Sequence, residues 1–355
     1  MIKLVCYGVR ETEVKYFEEY FIADTIAVIP SKIIDRNKSF EEINKKFGYD
    51  IKLVTLGLNH ENVKEAIGAE AVMVRGNCKA DRQNLELLKA NGLKYLLTRT
   101  VGFDHVDLQA VKDLDLKCAR VPGYSPNAIG ELALSLSMML LRHTAYTVNR
   151  TREKNFVVDP FMFSKEVRNC TVAVLGAGKI GLTTAKLFKG LGARVIAYDV
   201  FQSDAAKEIV EFMELDEVLA QADIISVHMP YIKDVNYHMI NDEFISKMKD
   251  GAILVNTARG EVQDIEAIIR GIESGKLGGF GTDVLEGESV TFFKDLREKE
   301  LENDLHQRLV DLYPRVLVTP HIGSYTDEAL TNMIEFSYEN LRDFLNEGTC
   351  KNSIA

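Results

Sequence analysis

Residues 170–199 read CTVAVLGAGKIGLTTAKLFKGLGARVIAYD. A β-branched apolar run from Thr171 to Leu175 meets Gly176, Gly178 and Gly181 in G-x-G-x-x-G spacing, and a helical stretch follows to Leu191. That order is a strand, a tight turn and a helix N-terminus. Gly176 permits the turn, Gly178 leaves room for a pyrophosphate, and Gly181 lets helix and sheet approach closely. A second apolar run, Arg194 to Tyr198, ends in Asp199, eighteen residues past Gly181. An acid there accepts hydrogen bonds from a ribose 2′-hydroxyl and repels a 2′-phosphate, so the stretch predicts a Rossmann domain for NAD rather than NADP. Lys179 and Ile180, inside the glycine turn, belong to the same expected coenzyme contact.

Working outward, a chain of 355 residues exceeds one typical core and predicts two domains. An apolar fraction of 46% with 27% charged residues describes an ordinary globular protein, and a net charge of -10 gives no reason to expect nucleic acid or an anionic membrane as partner. A few local cations in a cleft can still hold a small anion. The start, MIKLVCYGV, lacks a basic leader with an apolar h-region, and no stretch approaches the length of a membrane span, so a cytoplasmic location is expected. Cys6, Cys78, Cys118, Cys170 and Cys350 are scattered without a C-x-x-C pair and read as reduced structural thiols. The histidines are scattered too, and no metal site is expected.

Upstream of the glycine turn, apolar runs at 2–7, 51–56, 71–74, 95–98 and 117–121 alternate with helical stretches at 62–67 and 81–90. This rhythm predicts a small doubly wound, flavodoxin-like parallel sheet, with residues 17–40 as an insertion in its first β-α unit. Its carboxyl-end loops, Arg75-Gly-Asn and Arg99-Thr-Val-Gly-Phe-Asp, lie where open parallel sheets bind ligands. Pro122-Gly-Tyr-Ser-Pro126 marks a crossing between domains. The very apolar helix expected over Asn127–Tyr146 lies either under the domain junction or across a homodimer interface, or is buried wholly within one domain. Further strands at 224–228, 253–256, 280–285 and 316–319 continue the nucleotide half. Residues 290–311 read as a charged surface excursion, and a closing helix over 327–345 returns to the first domain. The predicted architecture is α/β, two doubly wound parallel-sheet domains with a cleft between them. Residues 1–122 with 323–355 form the substrate domain, and 123–322 the NAD-binding Rossmann domain.

Hydride exchange with a secondary alcohol asks the protein for three groups: a proton acceptor, a cation for the neighbouring carboxylate, and an acid that tunes the acceptor. His321 suits the first, because imidazole exchanges protons near neutrality. Arg259 suits the second, because a planar, permanently charged guanidinium matches a carboxylate in a fork. Glu288 suits the third by hydrogen-bonding the imidazole. Read alone, each has a bland alternative as a packing, loop or solvated residue.

The motifs Arg99-Thr-Val-Gly-Phe-Asp-His-Val-Asp107, Tyr124-Ser-Pro-Asn-Ala-Ile-Gly-Glu131, Asn256-Thr-Ala-Arg-Gly260, Asp283-Val-Leu-Glu-Gly-Glu288 and Thr319-Pro-His321 join the glycine motif. With them the chain resembles the D-isomer specific 2-hydroxyacid dehydrogenases over nearly its whole length outside residues 17–40. The resemblance implies that Arg259 binds the 2-oxo-acid carboxylate and carbonyl, that His321 is the acid/base, and that Glu288 is its partner. It maps Tyr124 and the Val101-Gly102 backbone onto the substrate, and Asp283, Thr257 and His228 onto the nicotinamide end, with Pro230 and Asn236 also on the coenzyme side.

Within the family, Val74-Arg-Gly-Asn-Cys78, Arg142-His-Thr-Ala-Tyr146 and Phe161–Cys170 look most like the (R)-2-hydroxyglutarate dehydrogenases of amino-acid-fermenting anaerobes. Arg75 then becomes a candidate partner for a distal carboxylate, since a monocarboxylic substrate would leave a buried arginine there unpaired. The alternative for Arg75 is an internal acid or solvent. Ser324, where the lactate branch commonly carries an aromatic, fits a longer or more polar substrate. The expected activity is NAD-dependent interconversion of 2-oxoglutarate and (R)-2-hydroxyglutarate by a homodimer. The rivals are a D-lactate or other D-2-hydroxyacid dehydrogenase and a non-enzymatic NAD(H)-sensing scaffold or corepressor.

Overall fold

The computed structural model describes residues 2–17 and 49–355. The insertion expected over 17–40 lies, apart from Phe17, outside the described residues, as does the helical pattern expected at 40–47. The chain divides into two compact units, residues Met1–Ser125 with Thr326–Ala355, and residues Pro126–Tyr325.

The first unit is built on five parallel strands, β1 (Ile2–Tyr7), β2 (Tyr49–Val54), β3 (Ala71–Val74), β4 (Tyr95–Thr98) and β5 (Lys117–Arg120), in the order β2-β1-β3-β4-β5. This is the flavodoxin-like order. Both faces of the sheet are covered, which is why its strands read as unbroken apolar runs. Leu4, Cys6, Met73 and Leu97 enter one core with Ile334, Tyr338, Leu341 and Phe344 of the closing helix Asp327–Glu347. Their neighbours Val5, Val72, Val74 and Leu96 enter the opposite core with Leu85 and Leu88 of helix Arg82–Ala90. The alternation is the period of two expected of a strand. The helix expected at 62–67 is only a 3-10 turn, Val63–Ala66, because Ile67 is already extended and Gly68 takes a positive φ.

The second unit carries seven parallel strands: β6 (Thr171–Leu175), β7 (Arg194–Tyr198), β8 (Glu211–Phe212), β9 (Ile224–Val227), β10 (Ala252–Asn256), β11 (Leu277–Thr282) and β12 (Val316–Val318). Their order is β12-β11-β10-β9-β6-β7-β8. Counted from β6 this is the dinucleotide-binding order 3-2-1-4-5-6 with one further strand at the edge. The expected single helix over 127–146 is two, Pro126–Leu141 and Thr144–Arg152. His143 between them takes φ 50, ending the first helix, and packs its ring at a tilt, 4.4 Å from that of Phe161. No glycine or proline announces the break. The first of these helices packs within its own unit, with Leu136 against Gly281 and Leu140 against Gly279 of β11. Its other face, with Leu132, Ser135 and Met139, lines an open apolar groove of about 590 Å³. The stretch 290–311 is more than a surface excursion. It contains helix Asp304–Asp311, capped by Asn303, whose His306 and Leu309 are buried.

Candidate active site

In the second unit the predicted residues leave the carboxyl ends of neighbouring strands. Gly176 to Gly181 follow β6, His228 follows β9, Thr257 and Arg259 follow β10, Asp283 and Glu288 follow β11, and His321 follows β12. Parallel pairing therefore gathers groups far apart in sequence along one sheet edge.

At the glycine turn the Gly176 N–H donates to the Tyr198 carbonyl and the Ala177 N–H to Asp199 Oδ2 at 2.6 Å. Gly176 has φ 95, and a Cβ there would stand 2.7 Å from the Met229 nitrogen. A Cβ on Gly181 would lie 1.9 Å from the Gly176 carbonyl oxygen, whereas one on Gly178 meets nothing within 4 Å. Helix Lys179–Gly190 thus starts tight against the strand, with open space above Gly178 and first-turn N–H groups that are unbonded among the described residues and suited to an anion.

His321 has φ 53, a conformation that an L-residue adopts only when its surroundings impose it. Asp283, 2% exposed, imposes it. Its Oδ1 accepts from Thr319 Oγ1 at 2.6 Å and from the Ile322 N–H at 2.8 Å, and its Oδ2 from the Gly323 N–H at 2.8 Å. Burial raises the Asp283 carboxyl, and these donors and His321 offset only part of the rise. The imidazole so presented has Nδ1 2.6 Å from Glu288 Oε1, while Glu288 Oε2 accepts from the Leu285 N–H at 3.1 Å. A carboxylate oxygen accepts, so Nδ1 carries the hydrogen, and Nε2 has no hydrogen-bond partner among the described residues.

Arg259 sits on the loop after β10 with Nη1 donating to the Ala258 carbonyl at 2.8 Å. Asn256, fully buried, donates from Nδ2 to the Arg259 carbonyl at 2.9 Å and to Gln263 Oε1 at 2.7 Å, and Gln263 donates to the Val284 carbonyl at 3.1 Å. Gly260 seals the same junction, since a Cβ there would stand 2.2 Å from the Glu286 nitrogen. The Arg259 and Glu288 loops are locked backbone to backbone, and sequence reading missed the locking residues Asn256, Gln263 and Gly260 in this role. Glycine and amides inside an otherwise apolar strand end were the available signal.

Toward the middle of the edge, His228 shares a hydrogen bond between Nε2 and Ser226 Oγ at 2.8 Å. Burial pushes its imidazole down to about 3, so it stays neutral. His228 Nδ1 and Thr257 Oγ1 are buried polar atoms without a hydrogen-bond partner among the described residues. Such atoms are costly unless a ligand satisfies them. Asn236 spends its amide on its own loop, accepting from the Ile232 N–H and donating to the Pro230 carbonyl, both at 2.7 Å.

The remaining predicted residues belong to the first unit. Val101 and Gly102 accept at their carbonyls, from Arg120 Nη1 at 3.0 Å and Thr100 Oγ1 at 2.5 Å, while their N–H groups are unbonded among the described residues. Tyr124 is half-buried, its carbonyl accepting from Asn332. Arg75 is 8% exposed and meets an internal acid: Nη1 lies 3.0 Å from Oε1 of Glu13, which also takes Arg99 Nη1 at 3.2 Å. The expectation that Arg75 would be unpaired without a substrate carboxylate is thereby corrected, for Glu13 pairs it. Burial alone would raise the Glu13 carboxyl, but Arg99 and Arg75 outweigh it and hold it low.

The model for the NAD binding domain of D-isomer specific 2-hydroxyacid dehydrogenases matches residues 134–323. The chain belongs to this family. It is 39% identical over 319 residues to an aromatic 2-oxoacid reductase of Clostridium sporogenes, covering 90% of this chain and 96% of that one. A D-lactate dehydrogenase structure from Treponema pallidum superposes with a TM-score of 0.83 at 34% identity, with 100% of both chains covered. The NAD complex of a D-isomer specific 2-hydroxyacid dehydrogenase from Lactobacillus delbrueckii ssp. bulgaricus gives 0.78 at 28% identity, over 99% of this chain and 100% of that one. The protein is thus an NAD-dependent D-2-hydroxyacid dehydrogenase with a Rossmann coenzyme domain. The open space over Gly178, the acid Asp199 and the two unpartnered atoms of His228 and Thr257 fit that coenzyme. Among the described residues no helix is long and apolar enough to cross a membrane.

Proposed function

We propose that this dehydrogenase interconverts 2-oxoglutarate and (R)-2-hydroxyglutarate. NADH, when bound, supplies the hydride. Arg259 holds the C1 carboxylate and polarises the carbonyl, and His321 Nε2 donates the proton that the new hydroxyl needs. Glu288, 2.6 Å from Nδ1, stabilises the imidazolium and fixes the ring. Gly176, Gly178, Lys179, Ile180, Gly181 and Asp199 are assigned to the adenosine and pyrophosphate, and His228, Thr257 and Asp283 to the nicotinamide end. Pro230 and Asn236 shape the loop beside it. Val101, Gly102 and Tyr124 are the substrate-side residues assigned to the first unit, and the Val101 and Gly102 N–H groups, unbonded among the described residues, suit a carboxylate.

The observation that carries the second carboxylate is the charge count around Glu13. Among the described residues two buried guanidiniums, Arg75 and Arg99, share its one carboxylate. A buried cluster with excess positive charge favours an added anion. Among the described residues Arg75 spends one guanidinium N–H, at Nη1, on Glu13, and a guanidinium carries five. Steady-state reduction of 2-oxoglutarate, pyruvate and phenylpyruvate tests this. Arg75→Ala is expected to lower kcat/KM for 2-oxoglutarate by roughly tenfold or more, the scale of a lost charge-assisted bond, and far less for pyruvate. Arg259→Lys is expected to lose turnover on all three. Equal losses across the panel for Arg75→Ala would leave a monocarboxylic 2-oxo acid as the substrate.

A homodimer is part of the same reading. Val148, Phe156, Val157, Val158 and Phe163 are 65–88% exposed on one segment of the second unit, the kind of apolar exposure that marks interaction surfaces. A reducing, cytoplasmic setting fits five free, buried cysteines.

A further inference from the structure

The turn that carries Glu288 is spanned by a buried histidine. Gly287 has φ 68 and Glu288–Val290 form one 3-10 turn, closed by the Thr291 and Phe292 N–H groups on the Glu288 carbonyl at 2.9 and 2.7 Å. So short a turn has little stiffness of its own. His306, 0% exposed on helix Asp304–Asp311, lies across it, with Nε2 3.0 Å from the Glu286 carbonyl oxygen and Nδ1 2.8 Å from Thr291 Oγ1. A carbonyl only accepts, so Nε2 carries the hydrogen and Nδ1 accepts from the threonine hydroxyl. Both nitrogens are satisfied in the neutral ring. Burial pushes His306 down, further than the Glu286 carbonyl and the nearby Glu288 carboxylate push it up, which keeps that tautomer.

The ring thus grips the turn two residues before Glu288 and three residues after it. The first of those points is fixed again from the other side: Glu286 accepts from Tyr237 Oη at 2.9 Å and pairs with His238 Nε2 at 2.7 Å. Among the described residues the Glu288 carboxylate has one backbone donor, Leu285, and the imidazole of His321. Where its carboxylate stands relative to His321 Nδ1 is therefore set by where His306 holds residues 286–291.

We propose that His306 is a positioning residue for the dehydrogenase reaction, holding the Glu288 turn so that the carboxylate meets His321 Nδ1 while Nε2 points to the reacting oxygen. The inference rests on the reading of Glu288 and His321 as the proton-exchanging pair. A displacement of the order of an ångström at such a pair costs up to about a hundredfold in rate.

The test uses the full chain with NADH and whichever of pyruvate, phenylpyruvate and 2-oxoglutarate it reduces fastest. His306→Leu removes both contacts, His306→Gln keeps a donor for the Glu286 carbonyl, and Thr291→Val removes the other contact without touching the histidine. Expected for His306→Leu is a fall in kcat of about ten- to hundredfold, with the NADH dissociation constant and substrate KM within about twofold of wild type. The solvent deuterium isotope effect on kcat rises, because proton delivery becomes slower. His306→Gln recovers part of the rate, and Thr291→Val shows the same rise in isotope effect even if His306→Leu folds poorly. Wild-type kcat and isotope effect in both His306→Leu and Thr291→Val, alongside a slowed Glu288→Gln, would overturn the positioning role alone. Wild-type behaviour of Glu288→Gln as well would overturn the underlying pair and the positioning role with it.

Discussion

Gly178→Ala and Gly181→Ala stand three residues apart in one turn and should fail for different reasons. A Cβ at 181 would lie 1.9 Å from the Gly176 carbonyl oxygen and 2.9 Å from Val174 Cγ1. Relief requires the helix to withdraw from β6 by about an ångström, an overpacking cost of roughly 1–3 kcal/mol or more. For a unit of this size each kcal/mol lowers Tm by about 2–4 °C, so a fall of roughly 3–10 °C is expected. Gly178 has φ -74 and ψ -170, ordinary extended backbone, and a Cβ there meets nothing within 4 Å. Alanine is a poorer cap by a few tenths to about 1 kcal/mol. Reduced freedom of the unfolded chain offsets about 0.4–1 kcal/mol of that, leaving Tm within about 2 °C. The methyl instead occupies the space assigned to the pyrophosphate, and NADH affinity is expected to fall by about tenfold or more. Thermal melts without coenzyme and fluorescence titration with NADH measure the two effects separately. A Gly178→Ala protein that melts as low as Gly181→Ala, or that binds NADH like wild type, would refute the assignment of the two glycines.

Acid stability and assembly provide two more checks. His228 is driven from 6.5 to about 3 by burial, so the unfolded chain binds a proton that the native chain refuses. Stability is therefore lost as pH falls through that window and is complete above it. Denaturant unfolding at pH 5 and pH 7 should show a smaller difference for His228→Gln than for wild type, and an unchanged difference would count against a neutral, buried His228. Light scattering should give twice the 39.9 kDa chain mass, with Val157→Asp and Phe163→Asp moving it toward the monomer. A wild-type monomer would remove the exposed segment at 148–163 from consideration as a self-association surface.

Much of the fold was legible because it is encoded locally. Strands buried on both faces read as short apolar runs, and a glycine turn of fixed spacing between an apolar run and a helical stretch marks a strand entering a helix. Arg259, Glu288 and His321 were legible as residue types at strand ends, but their types alone did not bring them together. Their convergence follows from β10, β11 and β12 lying side by side, an adjacency between segments separated by many residues. The break at His143 carried no breaker residue, and the helix holding His306 was hidden in a charged stretch whose buried positions are few.

What the sequence determined by itself is the class of chemistry: an NAD-binding glycine turn followed by an acid at the next strand end, and a histidine, an arginine and a glutamate at strand ends. Tertiary structure alone decided how those groups are held. Glu13 took up Arg75, which the sequence had left open between an internal acid, solvent and a substrate carboxylate. Asp283 forced His321 into a left-handed conformation, and His306 reached across the Glu288 turn. The reason is physical: strand and turn preferences depend on neighbours in the chain, whereas a buried hydrogen bond depends on which distant polar groups the packed core leaves within about 3 Å of each other.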